Sequence, residues 1–182
     1  MTQLHPQRII PWVFFICGLL ILTLTTWPLP VEHSQWSAVS LSDPEIKYTF
    51  ELEWPRALRV GEAGTAVLTA GQIDLGASSA NGMLEARLEF PGLIFKPNGS
   101  ITQPPGSEEN PLEYRWSITA FQPGSVSGTL WISLVAQNAD GIKKRDALVA
   151  KTLVVHATSI FGIPAILVRW VAGVLIVIAL VM

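Results

Sequence analysis

The chain has 182 residues, of which 49% are hydrophobic and 14% charged, and a formal net charge of −2. Soluble globular proteins carry about 25% charged residues, so part of this chain is built for apolar surroundings. The faintly acidic balance argues against nucleic acid as a partner, since phosphate binding needs clustered Lys and Arg, and the single cysteine, Cys17, allows no intrachain disulfide.

The apolar residues gather at the two ends. Residues 1–8 read as a cytoplasmic N-terminus, with Arg8 and the terminal amine supplying the positive charge that stays inside. The nineteen residues Ile9–Trp27 carry no charge, and at about 1.5 Å each they extend about 28 Å, close to the ~30 Å hydrocarbon core. Trp12 and Trp27 bracket the run as interfacial aromatics, and Pro28 and Pro30 end it. Residues 9–29 are therefore expected to form a first transmembrane helix. A cleaved signal peptide fits less well, because the run exceeds a usual h-region and no Ala-x-Ala site follows. Residues 30–42 then read as a linker.

Residues 43–157 change character. Val31 to Thr158 holds 10 basic and 14 acidic residues, the polarity of an ordinary soluble module. Apolar residues alternate with polar ones through it, which is the period of a strand with one buried face. Tyr48, Phe50, Leu52 and Trp54 form one such set, Leu84, Ala86, Leu88 and Phe90 a second, and Leu112, Tyr114, Trp116 and Ile118 a third. Leu130, Ile132, Leu134 and Ala136 follow, then a last strand near Ala147–His156, with shorter candidates at Ala66–Ala70 and Ser100–Gln103. Gly and Pro turns punctuate the runs, at Gly61–Gly64, Asn81-Gly82, Pro91-Gly92, Asn98-Gly99, Pro104-Pro105-Gly106, Pro123-Gly124 and Asp140-Gly141. About seven short strands and no amphipathic helix predict an immunoglobulin-like antiparallel β-sandwich, held by two transmembrane helices on the extracytoplasmic (periplasmic or extracellular) side of a bacterial membrane. The stretch Tyr114–Val135, with its Trp-bearing strand and Pro-Gly turn, resembles the last hairpin of bacterial immunoglobulin-like or fibronectin-like domains. That cadence extends over residues 112–156 and implies fold alone.

The C-terminal segment, residues 158–182, reads as a second transmembrane helix, part of it interfacial. It carries one charge, Arg169, followed by Trp170. An unpaired Arg in mid-bilayer costs at least about 2.5–3.5 kcal/mol, so Arg169 either snorkels to headgroups with Trp170 at the boundary, or meets a carboxylate or lipid phosphate on a partner. The connection Ala157–Ile160 is short enough to press the end of the sandwich against the bilayer.

Chemistry-bearing patterns are sparse. His33 and His156 flank the domain, but a metal site needs three or four converging ligands. Gly124-Ser-Val-Ser-Gly128 has Val126 where a nucleophile elbow needs serine, and it reads as a turn. Glu51/Glu53 and Glu85/Glu89 alternate on outward faces, and Glu108/Glu109 sit in a loop, so none reads as a glycosidase or calcium site. Lys143-Lys144-Arg145 is a basic cluster near a hairpin tip, suited to anionic lipid or a partner. Trp131 has the parity opposite to Leu130 and Ile132, and is expected to be an exposed docking residue.

With no catalytic, cofactor or metal motif, the expected role is a non-enzymatic accessory subunit of a larger integral membrane complex, contacting lipids and other membrane subunits through Arg169, Trp170, Trp131, Lys143, Lys144 and Arg145. The alternative is a stand-alone tethered module that binds an extracellular glycan or peptide.

Overall fold

The computed structural model describes residues 6–39, 46–74, 82–104, 107, 110–137, 143–160 and 162–182. The turns expected at Asn81, Pro105-Gly106 and Asp140-Gly141, and the pair Glu108/Glu109, lie outside the described residues.

The chain folds mostly as β-sheet, in two five-stranded sheets packed face to face. The first sheet is built from β1 (Val31–Val39), β2 (Ile46–Pro55), β4 (Ala63–Asp74), β8 (Leu112–Ala120) and β6 (Leu93–Lys96), in that order. The second runs β3 (Ala57–Arg59), β10 (Lys143–Thr158), β9 (Gly124–Gln137), β5 (Gly82–Glu89) and β7 (Ser100–Gln103). Period-two alternation decides the faces. Tyr48, Phe50, Leu52 and Trp54 of β2 point inward, as do Leu84, Ala86 and Leu88 of β5, Tyr114, Trp116 and Ile118 of β8, and Leu130, Ile132 and Leu134 of β9. All belong to one core cluster between the sheets.

A polar contact crosses that core. The Tyr114 hydroxyl in the first sheet donates to the Leu84 carbonyl in the second at 3.0 Å, and burial pushes the phenol pKa up. Packing is tight at Gly128, where a Cβ would lie 2.3 Å from the Glu89 carbonyl oxygen and the Phe90 ring. A side chain there has nowhere to go.

Three features correct the sequence expectation. The supposed linker before the domain is largely strand: β1 pairs with β2 from Val31↔Pro55 to Val39↔Lys47. Its inward positions, Ser34, Trp36 and Ala38, hold only one large apolar residue, so the alternation is faint. The sandwich is not wholly antiparallel, because β3 runs parallel to the end of β10 (His156↔Ala57 to Thr158↔Arg59). Ser125–Gly128 is not a turn but the start of β9, and Pro123-Gly124 carries the chain from β8 in one sheet to β9 in the other. The paired hairpin is β9–β10 instead.

A seam joins the edge of the first sheet to the second. Lys151 of β10 donates to the Ser34 hydroxyl of β1, and its Nζ lies 4.1 Å from the Trp36 ring centre, in cation–π contact. Trp36 in turn stacks on Phe50 at 5.8 Å. Burial lowers the Lys151 pKa, with Glu32 opposing the shift.

Both helices leave the same end of the sandwich. Helix α1 (Pro6–Thr26) leads into β1 and α2 (Ala165–Val181) leaves after β10. They run antiparallel and close together: a Cβ on Gly18 would lie 2.7 Å from the Ile176 side chain and 3.0 Å from the Ala172 carbonyl oxygen. Among the described residues, no helix is long and apolar enough to cross a membrane. The second segment was expected to be helical from residue 158, but β10 continues to Thr158. Ile160 and Ile163 then exchange backbone hydrogen bonds of 3.2 and 3.0 Å across a tight turn with Gly162 at φ 75°. That leaves α2 with 17 residues, about 25 Å at 1.5 Å per residue.

Replacing Tyr114 with Phe should cost about 1 kcal/mol, read as a lower urea midpoint at unchanged m-value. Gly128→Val should lower the midpoint far more, or prevent folding, because backbone as well as ring must move.

Candidate functional site

The junction between helices and sandwich holds the densest set of charged contacts around buried groups. An α-helix leaves its last four carbonyls without intrahelical partners, and they carry the negative end of its dipole. In apolar surroundings each such group left bare is costly. Here the last carbonyls of α1 are met by two guanidiniums from distant parts of the chain. Arg59, at the end of β3, donates to the Trp27 carbonyl at 2.5 Å and reaches the Leu24 carbonyl at 3.4 Å. Arg169, in the second turn of α2, donates to the Thr25 carbonyl at 2.6 Å.

Two cations so close require an anion, and Glu62 supplies it. Its carboxylate lies 2.8 Å from Arg169 and 3.7 Å from Arg59. The turn between β3 and β4 aims it: the Glu62 N–H donates to the Arg59 carbonyl at 2.9 Å, and Gly61 between them adopts φ 84°, which favours glycine. Gly61 also lies under α2, where a Cβ would be 3.6 Å from that of Pro164. The carboxylate therefore faces the N-terminal end of α2, where the helix dipole favours an anion. With side chains only 10% exposed for Arg59 and 21% for Glu62, the triad is shielded more than a surface ion pair. Arg169 Nε is buried without a hydrogen-bond partner among the described residues.

Beside this triad an apolar crevice of about 520 Å³ opens between the helices, lined by Ile21, Leu24, Ile163, Leu167, Trp170 and Val171 among others. Trp170 is 71% exposed at its rim.

The second concentration lies on the outer face of the second sheet. Trp131 is 44% exposed, and its indole N–H donates to Glu89 at 3.1 Å. Glu85, read from the sequence as a solvated outward residue, is nearly buried, because Arg145 grips it through Nε at 2.9 Å and Nη2 at 3.1 Å. Arg87 pairs with Glu89 at 2.5 Å. These residues and Ser133 line a shallow depression of about 280 Å³.

The sequence candidates thus separate into two groups. Arg169 and Trp170 stand at the helix junction, whereas Trp131 and Arg145 share the outer face. Lys144 is exposed at the start of β10 and Lys143 precedes it in the strand. The basic cluster is about 40 Å of strand from the end that bears the helices, at ~3.3 Å per residue, so it does not meet a surface that the helices enter. His33 faces Glu53 at 3.9 Å in the first sheet while His156 is exposed on the second. Among the described residues no three His, Cys, Asp or Glu side chains form a group that could hold a metal. Arg59 and Glu62 were not anticipated as site residues. Their one local signal is a charge on either side of the Val60-Gly61 turn, next to the apolar Ala57-Leu58.

No family model matches the sequence, and no curated protein does. Distant similarity to solved structures includes two bacterial proteins. The SrpA adhesin R347E mutant of Streptococcus sanguinis aligns at 14% identity and a TM-score of 0.36, over 62% of this chain and 57% of the adhesin chain. A cohesin module of a family 33 glycoside hydrolase from Clostridium perfringens aligns at 15% identity and a TM-score of 0.36, over 60% of this chain and 96% of the module. The chain spans little more than half the length of the adhesin. Likeness of this degree assigns neither function nor partner.

Replacing Glu62 with Gln should leave Arg59 and Arg169 facing each other unneutralised. The expected result is faster amide exchange over residues 160–172 and the last turn of α1, with the sandwich core unchanged. A stability loss of about 1–3 kcal/mol in the helix–sandwich contact is expected, below that of a fully buried pair because Arg169 is partly exposed.

Proposed function

We propose that the chain is a non-enzymatic accessory subunit of a larger membrane assembly, its α1–α2 hairpin seated in the bilayer and its immunoglobulin-like sandwich on the extracytoplasmic face. The observation that carries this reading is the apolar surface of the paired helices. Trp12, Val13, Ile16, Leu20 and Leu24 of α1 and Ile166, Val171, Val174, Val177 and Leu180 of α2 are all exposed. Soluble monomers rarely expose a contiguous apolar patch beyond a few hundred Å². Either lipid or another apolar chain must cover it.

The hairpin geometry fits a two-pass anchor, since α1 arrives at the sandwich and α2 departs from the same end. At 21 residues α1 extends about 32 Å, whereas α2, with 17 residues, extends about 25 Å and falls short of the ~30 Å core, a mismatch that bilayer thinning meets at fractions of a kcal/mol per Å. Arg8 favours the cytoplasm for the N-terminus. Because Arg169 has its own carboxylate in Glu62, it acts as an internal fastener, and partner contacts fall to the outer helix faces and the Trp131 face.

The exposed Trp131 ring favours the second reading, a tethered module for a glycan or peptide. It lines a depression where Arg87, Glu89, Ser133 and Arg145 offer donors and acceptors around it, the mixed apolar and polar lining of a ligand site.

Extraction in mild detergent, native sizing and mass spectrometry of co-migrating chains decide between them. A defined assembly well above monomer mass is the expected result, surviving Trp131→Ala if the helices carry the contact. A lone particle would overturn the subunit reading. Saturable binding of an oligosaccharide or peptide to that particle, lost in Trp131→Ala, would establish the second.

A further inference from the structure

Resting on the membrane reading above, we infer that the connection Phe121-Gln122-Pro123-Gly124 is a third foot of the sandwich, seated in the headgroup–acyl boundary of the lipid beside α1 and α2. The placement follows from a short chain of contacts. Pro164, which precedes α2, packs over Gly61. The Gly61 N–H donates to the Ala120 carbonyl at 2.8 Å. Phe121 is the next residue, so its turn lies at the helix-bearing end of the sandwich. Ala120 is fully buried, yet Phe121 is 59% exposed.

That end concentrates the large exposed aromatics. Trp27 closes α1 and Trp170 lies in the second turn of α2, each 71% exposed. Tryptophan and phenylalanine at such positions partition to the boundary between headgroups and acyl chains. Arg56 adds an exposed cation at the same end, its backbone bonded to Pro30 on one side and His156 on the other. Glu32, exposed near the start of β1, adds a negative charge.

Mechanically the third contact has a distinct role. The chain enters the sandwich from α1 and leaves toward α2, so two attachments alone would let it tilt about the line through them. Phe121 stands at the end of β8 in the first sheet, whereas α2 follows β10 of the second. A foot there removes the tilt and fixes which outer face is presented to a neighbour.

The lone Cys17 makes single-site labelling simple. In a Cys17→Ser background, an environment-sensitive fluorophore is placed at Phe121→Cys, at Val174→Cys in α2, or at Lys144→Cys at the far end. Each full-length variant is reconstituted in vesicles of equal parts phosphatidylcholine and phosphatidylglycerol, then exposed to lipids carrying a nitroxide at shallow or deep positions. The expected result at residue 121 is about twofold quenching, stronger for the shallow nitroxide, as for a boundary-seated side chain. Val174 should respond to the deep nitroxide and Lys144 to neither. Quenching at 174 with none at 121 overturns the third foot while leaving the anchor standing. Silence at both 121 and 174 overturns the membrane reading itself. A label at 121 that is unquenched by lipid, but shielded from aqueous iodide only when co-purified chains are present, shows a protein contact and also overturns the proposal. A second variant, Phe121→Asp, changes only an exposed turn and should retain the β-sheet circular dichroism spectrum. It should also abolish any vesicle-dependent protection of residues 120–124 from amide exchange.

Discussion

The end of α1 decides how the molecule is put together. Its last carbonyls have no partners within the helix, and two guanidiniums, one from the sandwich and one from α2, converge to satisfy them. Glu62 allows both cations to be there. Remove the carboxylate and Arg59 repels Arg169; remove either arginine and a carbonyl is left bare. The helix pair, the turn between β3 and β4 and the entry into α2 are therefore one joint, and the orientation of the hairpin relative to the sandwich follows from it.

This joint changes the meaning of an arginine within an apolar segment. Such a residue invites the search for a partner protein, because the cost of leaving it unpaired in lipid is high. Here Glu62 and the Thr25 carbonyl partner it inside the chain. The surfaces left for neighbours are those where the chain has not satisfied itself: the apolar outer faces of the helices and the Trp131 depression, whose charges are paired around an open ring.

Much of the sandwich was legible because strand parity is a strict signal. Tyr48, Phe50, Leu52 and Trp54 could only share a face, Trp54 and Trp116 therefore fell in the core, and Trp131 fell outside it. What escaped had no such signal. β3 and β6 have three and four residues, too few to establish a period. β1 offers Trp36 alone as a large inward side chain. The apolar letters Ile160 and Ile163 read as helix, although Gly162 and Pro164 turn the chain before α2 begins. The site was less legible than the fold: Arg169 was conspicuous as a charge in an apolar run, but nothing in spacing joins it to Glu62, which lies 107 positions earlier in the sequence. Glu85 shows the converse, since parity put it outward correctly while Arg145 covered it.

The parallel pairing of β3 with the tail of β10 bears on the order in which the chain can fold. β10 is the neighbour of both β9 and β3, so the second sheet is incomplete until the last strand of the domain has been made. Pairings of such long sequence separation form slowly, because loop closure precedes their reward. The strand that completes the sheet is followed within a few residues by the apolar helix α2. During synthesis, completion of the sandwich and delivery of α2 to its final surroundings thus become nearly simultaneous events. A chain interrupted before that point would expose the open flank of β9 as an unpaired edge, the kind of template on which nascent chains aggregate.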